Sequence, residues 1–146
     1  MPTYAVRTSN VKLSSKRKKF IAKGITEAHT QITGANNYFA QVLFEENKTY
    51  SHYMGGKVVK DKQIFLYGQI RAGRTSKVKK KLIISLRNSI IKNSGIPKDN
   101  TWVYLLDLDP KQMIEYGEIL PQSGKEADWF KSLNSLLQNK LKKIGK

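Results

Sequence analysis

The chain has 146 residues, 39% of them hydrophobic, which suits a single globular domain with a real core rather than a disordered polymer. The lack of cysteine excludes a disulfide scaffold and thiolate metal sites, and two histidines, His29 and His52, are too few for a histidine-rich metal cluster. Twenty-seven Lys and Arg against 11 Asp and Glu give a formal charge of +16, a balance that speaks about solubility, anion attraction or nucleic-acid contact and not about fold.

No acid precedes Glu27, so the N-terminal stretch imitates a transit peptide. Strand-like alternation over 3–8 and an apolar-faced helix after it argue against that reading. No apolar run approaches the roughly 20 residues of a membrane span. A cytoplasmic protein with no membrane contact is expected.

Residues 2–9 read as a strand, with Tyr4 and Val6 on one face and Thr3 and Arg7 on the other. Ser14 or Ser15 caps a helix whose Ile21, Ile25, Ala28 and Ile32 recur at three- and four-residue steps. Its basic run 16–19 lies mainly on the other side, as solvent cover. Gly34 and the following Ala35-Asn36-Asn37 end that helix. Residues 38–46 form a second strand whose apolar run suggests an interior position. Residues 47–62, with Gly55-Gly56, are a loop or small hairpin.

The pattern then restarts. Residues 63–70 are a strand, Thr75-Ser76 cap a helix with Val78, Leu82, Leu86 and Ile90 inward, and Gly95-Ile96-Pro97 stop it. Residues 101–108 are another strand. The offset of about 61 residues between the two β-α-β units indicates an architectural repeat. The expected fold is α/β (α+β): two tandem units, 1–62 and 63–125, form a four-stranded sheet with both helices on one face. A C-terminal helix over 126–144 completes one domain of 146 residues. The other sheet face has no cover in this count, so self-association is the simplest way to bury its Val, Leu, Phe and Tyr.

Polar residues of possible catalytic use are spread along this frame. Removal of Met1 would leave Pro2 with a secondary amine titrating near neutrality, at about 7.7–8.0 before perturbation. His29 lies between Ile25 and Ile32 on an apolar helix face, where a buried core histidine is the plainer reading. Arg71 and Arg74 flank Ala72-Gly73 where a strand passes to a helix N-terminus, a position that favours an anion. Two guanidiniums there suit a carboxylate, or serve only as surface charge. Tyr104 reads as a core or interface tyrosine, and Glu115 as a solvated charge with Glu118 as its rival.

These positions occur within M-P-T-Y at 1–4, G-I-T-E-A-H at 24–29, A-Q-V-L-F at 40–44, I-R-A-G-R-T at 70–75, W-V-Y at 102–104, E-Y-G-E-I-L-P at 115–121 and W-F-K-S-L at 129–133. In that order they make the chain resemble the tautomerase superfamily, and within it the cis-3-chloroacrylic acid dehalogenase group, nearly end to end. The resemblance implies a homotrimer with sheets facing inward, and Pro2 as the N-terminal catalytic residue. It implies Arg71 and Arg74 as carboxylate binders, His29 as a positioning histidine, and Tyr104 and Glu115 as a water-activating pair. It implies no metal and no organic cofactor. Ala35 stands where the dehalogenases can place a hydroxyl, and 47–62 matches poorly, which leaves the substrate open.

The expected activity is hydration or hydrolytic dehalogenation of a small unsaturated carboxylate, with Pro2 as general acid. A neutral Pro2 would instead be a base, suited to keto–enol tautomerism of 2-oxo acids. Nucleic acid is not the expected partner, although a basic nucleic-acid-binding trimer with an idle site is the alternative of a different class.

Overall fold

The computed structural model describes residues 2–145, so the expected loss of Met1, and Lys146 at the end of the basic tail, lie outside the described residues. Its centre is a four-stranded sheet built from β1 (Thr3–Ser9), β2 (Gln41–Glu46), β5 (Gln63–Arg71) and β6 (Thr101–Leu108), in the order β2-β1-β5-β6. Each outer strand runs parallel to its inner neighbour, and β1 and β5 meet antiparallel. Two β-α-β units are thus joined edge to edge through their first strands.

The crossover helices α1 (Ser15–Thr33) and α2 (Ser76–Ser94) are 19 residues each. They start at equivalent places because Ser14 and Thr75 each accept a hydrogen bond from the backbone N–H three residues on. Both stop at a glycine, Gly34 and Gly95, held in the left-handed conformation that L side chains avoid. They pack antiparallel, with Arg17 Nη1 donating to the Ser94 carbonyl at 2.9 Å and Gly24 close against Ser89.

The core lies between this helix pair and one sheet face. Ile21, Ile25 and Ala28 from α1 and Leu82, Leu86 and Ile90 from α2 meet Tyr4, Val6, Ile64, Leu66 and Ile70. The other sheet face is open within one chain. Tyr104 is 52% exposed, Leu43 47% and Leu106 44%, a large apolar display for a sheet.

Three expectations need correction. Tyr38 and Phe39, expected at the start of the second strand, belong instead to a short 3-10 turn over Asn37–Phe39, because the Ala40 N–H closes onto Asn37 and Phe39 is drawn into a second small core with Met113 and Leu120. Strand β2 therefore begins at Gln41, and it is an edge strand rather than an interior one. The C-terminal helix over 126–144 is two helices, α3 (Glu126–Ser132) and α4 (Ser135–Ile144), because Leu133 is extended and Asn134 caps a new start through its side chain.

Two small hairpins complete the chain: β3 (Tyr53–Met54) with β4 (Lys57–Val58), and β7 (Ile114–Glu115) with β8 (Glu118–Ile119). The second is tied down at both ends. Tyr116 donates to the Tyr38 carbonyl at 2.7 Å, and Trp129 Nε1 donates to the Ile119 carbonyl at 3.0 Å. Among the described residues no helix is long and apolar enough to cross a membrane.

Candidate active site

The C-terminal end of β5, the N-terminal end of α2 and the last turn of α1 converge on one corner of the molecule. Arg71 is the last residue of β5, and Arg74 follows in the loop that Thr75 closes into α2. Arg71 is 3% exposed, which is costly for a guanidinium unless its donors are satisfied. Its Nη1 donates to the Pro121 carbonyl at 2.9 Å, and its Nη2 is ion-paired with Glu126, the first residue of α3. Its Nε is buried with no hydrogen-bond partner. Arg74 donates from Nη1 to the Arg71 carbonyl, which folds the loop back on itself.

Both arginines and Glu126 line a cavity of about 750 Å³, together with Gly34, Ala35 and Tyr38 from the segment after α1 and Phe130 from α3. Burial, and then the charge of Arg71, lower the pKa of Arg74; Tyr4, Asp107 and Glu126 pull the other way. A guanidinium stays charged at any pH the fold survives, so this corner carries positive charge toward the cavity.

His29 sits one turn before the α1 C-terminus and is 1% exposed. Its Nδ1 is 2.7 Å from the Tyr4 hydroxyl, and its Nε2 is buried without a hydrogen-bond partner. Burial first, then the nearby positive charges, led by Arg74, push its pKa down to about 3. At neutral pH the ring is therefore uncharged, and it acts through hydrogen bonds rather than as an acid. The Tyr4 pKa is raised by burial, which outweighs the opposing charge of Arg74, so its hydroxyl keeps its proton.

Pro2 is buried, two residues before the tyrosine that bonds His29, and its carbonyl accepts the Gln41 N–H at 3.0 Å. Gln41 and Thr3 belong to the wall of a neighbouring cavity of about 460 Å³ that also contains Glu115. Phe39 lines both cavities, the one with Glu115 and the one with the arginines. Tyr104 is elsewhere. It projects from the open face of β6 with its ring edge against Phe65, centroids 5.0 Å apart.

One chain thus brings Arg71 and Arg74 into a single corner with the buried His29 within reach of their charge, puts Glu115 in the wall of a second cavity together with Thr3, the residue after Pro2, and leaves Tyr104 on the uncovered sheet. Two members were not read from the sequence as part of the site, Tyr4 and Glu126. Tyr4 had a legible signal, since strand alternation aims it at the helix layer, where His29 lies on the inward face of α1. Glu126 had none, because its partner is 55 positions away. Among the described residues no group of three or more His, Cys, Asp or Glu side chains is placed to hold a metal ion.

A family model described as putative oxalocrotonate tautomerase enzyme matches residues 1–134. Among solved structures, N1, a member of the cis-3-chloroacrylic acid dehalogenase family, superposes with a TM-score of 0.91 at 28% identity, covering 97% of this chain and 99% of its own. A fused 4-OT asymmetric trimer superposes at 0.73 with 24% identity over 80% of this chain and 94% of its own, and a fused 4-OT symmetric trimer at 0.73 with 19% over 81% and 94%. The last two likenesses show fold alone. No curated protein matches the chain. The tandem β-α-β sheet, the polar corner at the end of β5 and the match along 134 positions agree, and the chain belongs to the putative oxalocrotonate tautomerase family of the tautomerase superfamily.

Proposed function

We propose that the protein is a cofactor-independent hydratase or hydrolytic dehalogenase of small unsaturated carboxylates, of the 3-haloacrylate or acetylenic acid type. The observation that carries this reading is the corner at the end of β5, where Arg71 and Arg74 line one cavity and act electrostatically on the buried His29, with unpartnered buried nitrogens on His29 and Arg71. Arg74 and the free donors bind the substrate carboxylate and draw electron density from C3. Glu115 takes a proton from water as the water oxygen bonds to C3, and Pro2, freed by loss of Met1 and cationic, gives a proton to C2. With a halogen on C3, the adduct loses halide and the hydroxyl proton to leave an aldehyde acid.

Tyr104 enters this scheme from a neighbouring subunit. In its own chain it faces away from the corner, on the apolar sheet face that a trimer would cover. Two of the fused 4-OT structures are described as trimers, which supports such an assembly here.

The positive charge of Arg71 and Arg74 also favours a second reading. Nearby cations lower an amine's pKa, and a neutral Pro2 would be the general base of a keto–enol tautomerase acting on 2-oxo acids. One experiment separates the two. The protein, with Pro2 ¹⁵N-labelled, is titrated by NMR while halide release from cis-3-chloroacrylate and ketonisation of a 2-oxo acid enol are assayed in parallel. An amine cationic at neutral pH with halide release supports the hydratase. A neutral amine with ketonisation alone supports the tautomerase. An amide at Pro2, or full activity in Pro2→Ala, would sink both.

A further inference from the structure

The two nitrogens of His29 are in different situations. Nδ1 shares a 2.7 Å hydrogen bond with the Tyr4 hydroxyl, and Nε2 is buried without a partner. A neutral imidazole carries one proton, and which nitrogen holds it decides what the other offers. If the proton were on Nδ1, it would point at the Tyr4 oxygen, and the tyrosine's own proton would need another acceptor. Tyr4 is wholly buried, and among the described residues its hydroxyl has no hydrogen-bond partner besides His29. That arrangement would strand the hydroxyl proton and leave an open lone pair on Nε2. The opposite one uses the hydroxyl proton on Nδ1 and leaves a single open donor, Nε2–H.

We infer that Tyr4 is a positioning residue, fixing His29 as its neutral Nε2–H form so that the ring presents a hydrogen-bond donor to the carboxylate of a small organic acid. Use of that donor rests on the carboxylate-binding reading above; the position of the proton does not. The ring already feels the guanidinium charge of Arg74 and Arg71. An uncharged N–H there gives direction to the bound carboxylate without adding a third cation. The other tautomer would set a lone pair against the carboxylate oxygen and repel it.

The fold holds Tyr4 in place for this task. Tyr4 lies opposite Gly68 across the β1–β5 ladder, and a Cβ at Gly68 would fall 2.6 Å from the tyrosine ring. The phenol thus occupies space that only a strand residue with no side chain leaves open. Its ring meets the imidazole edge to face, with centroids 5.8 Å apart at 69°.

The test is a long-range ¹H–¹⁵N correlation spectrum of the full-length protein at neutral pH, with histidine ¹⁵N-labelled, for wild type and Tyr4→Phe. Wild type is expected to show Nε2 protonated and Nδ1 bare. Tyr4→Phe, which keeps the ring, is expected to give a mixture or the reverse. Addition of sodium acrylate is expected to move the Nε2–H resonance in wild type, and Tyr4→Phe is expected to weaken acrylate binding about tenfold. On any substrate that the protein turns over, Tyr4→Phe is expected to raise KM and leave kcat nearly unchanged. A protonated Nδ1 in wild type would overturn the inference, as would an unaltered tautomer in Tyr4→Phe or an Nε2–H signal indifferent to acrylate. None of these readings depends on haloacrylate turnover, so failure of the hydratase assignment would be seen separately.

Discussion

Arg71 and Glu126 form an ion pair in which the guanidinium is 3% exposed and the carboxylate 32% exposed. The pair ties the end of β5 to the start of α3, so the C-terminal helices are fastened to the arginine corner. Arg71 has little freedom. Its Nη1 is committed to the Pro121 carbonyl and its Nη2 to Glu126. A substrate carboxylate would meet a guanidinium whose orientation is already set, with Arg74 as the more available partner.

Glu126→Gln is expected to lower stability by about 1–2 kcal/mol, less than the 3–5 of a fully buried pair because a third of the carboxylate is in water. Burial raises the Glu126 pKa, but the hydrogen bond and charge of Arg71, with backbone N–H groups, outweigh it and leave the net pKa below the ordinary carboxylate range. Its stabilising effect is therefore complete above the unfolded carboxyl pKa and lost as pH falls through the lower folded value. Urea titrations of the two proteins are expected to differ at pH 7 and converge in acid. A constant gap down to the acid limit would mean that the pair contributes no charge term.

His29 gives a second pH dependence. Its folded pKa of about 3 lies well below the model-peptide value of 6.5, so between those two values the unfolded chain binds the extra proton. Stability is expected to fall steadily as pH drops from 6.5 toward 3, and a His29→Gln variant is expected to flatten that slope. The activity profile is expected to lack a limb from this histidine near pH 6.5. An NMR titration showing His29 protonated at pH 6 would contradict the burial that places it there.

For Arg74, lysine is not an adequate substitute. The guanidinium offers two parallel donors to a carboxylate, and an ammonium offers a point charge. Arg74→Lys is expected to reduce kcat/KM for a three-carbon acid by about 10-fold and Arg74→Gln by about 100-fold or more. Arg74 also donates to the Arg71 carbonyl, so part of either loss reflects a loosened loop. Equal kinetics in wild type and Arg74→Gln would remove this residue from the site.

Much of the frame was legible because its signals are local. Ser14 and Thr75 are caps, Gly34 and Gly95 are stops, and apolar spacing marks the inward faces of α1 and α2. The 3-10 turn at 37–39 was not legible, since Tyr38 and Phe39 look like strand residues until the second core claims Phe39. The break at Asn134 is a cap inside a continuous apolar stripe, and the stripe outweighed it in the reading. For the site, strand and helix ends pointed to Arg71 and Arg74. The reading of His29 as a core histidine holds, because the ring is buried; its part in the site belongs to the proposal. Glu126 and the place of Phe39 between the second core and both cavities depend on distant contacts that no spacing encodes.

Gly68 supports Tyr4 by having no side chain. A Cβ there would lie 2.6 Å from Tyr4 Cε1 and 2.8 Å from Leu105 Cδ2. Gly68→Ala is expected to cost about 1–3 kcal/mol through overpacking and to disturb the Tyr4–His29 bond. Thermal unfolding and the His29 ring shifts read the two effects together. A stable Gly68→Ala protein with unchanged ring shifts would show that Tyr4 has room to move.

The open sheet face supplies the last prediction. Leu43, Tyr104 and Leu106 are each more than two-fifths exposed on one chain, an expensive display unless another subunit covers it. Leu106→Arg would place a charge there, and sedimentation velocity is expected to show dissociation from trimer to monomer. Activity is expected to fall with it, although Pro2, His29 and both arginines are untouched, because Tyr104 would no longer reach a neighbour's site. Mixing sharpens the point. Tyr104→Phe and Pro2→Ala proteins, each impaired alone, are expected to regain activity when unfolded and refolded together, since a mixed trimer contains sites with an intact proline from one chain and an intact tyrosine from the next. No recovery in trimers proven to be mixed would mean that Tyr104 serves its own chain or none.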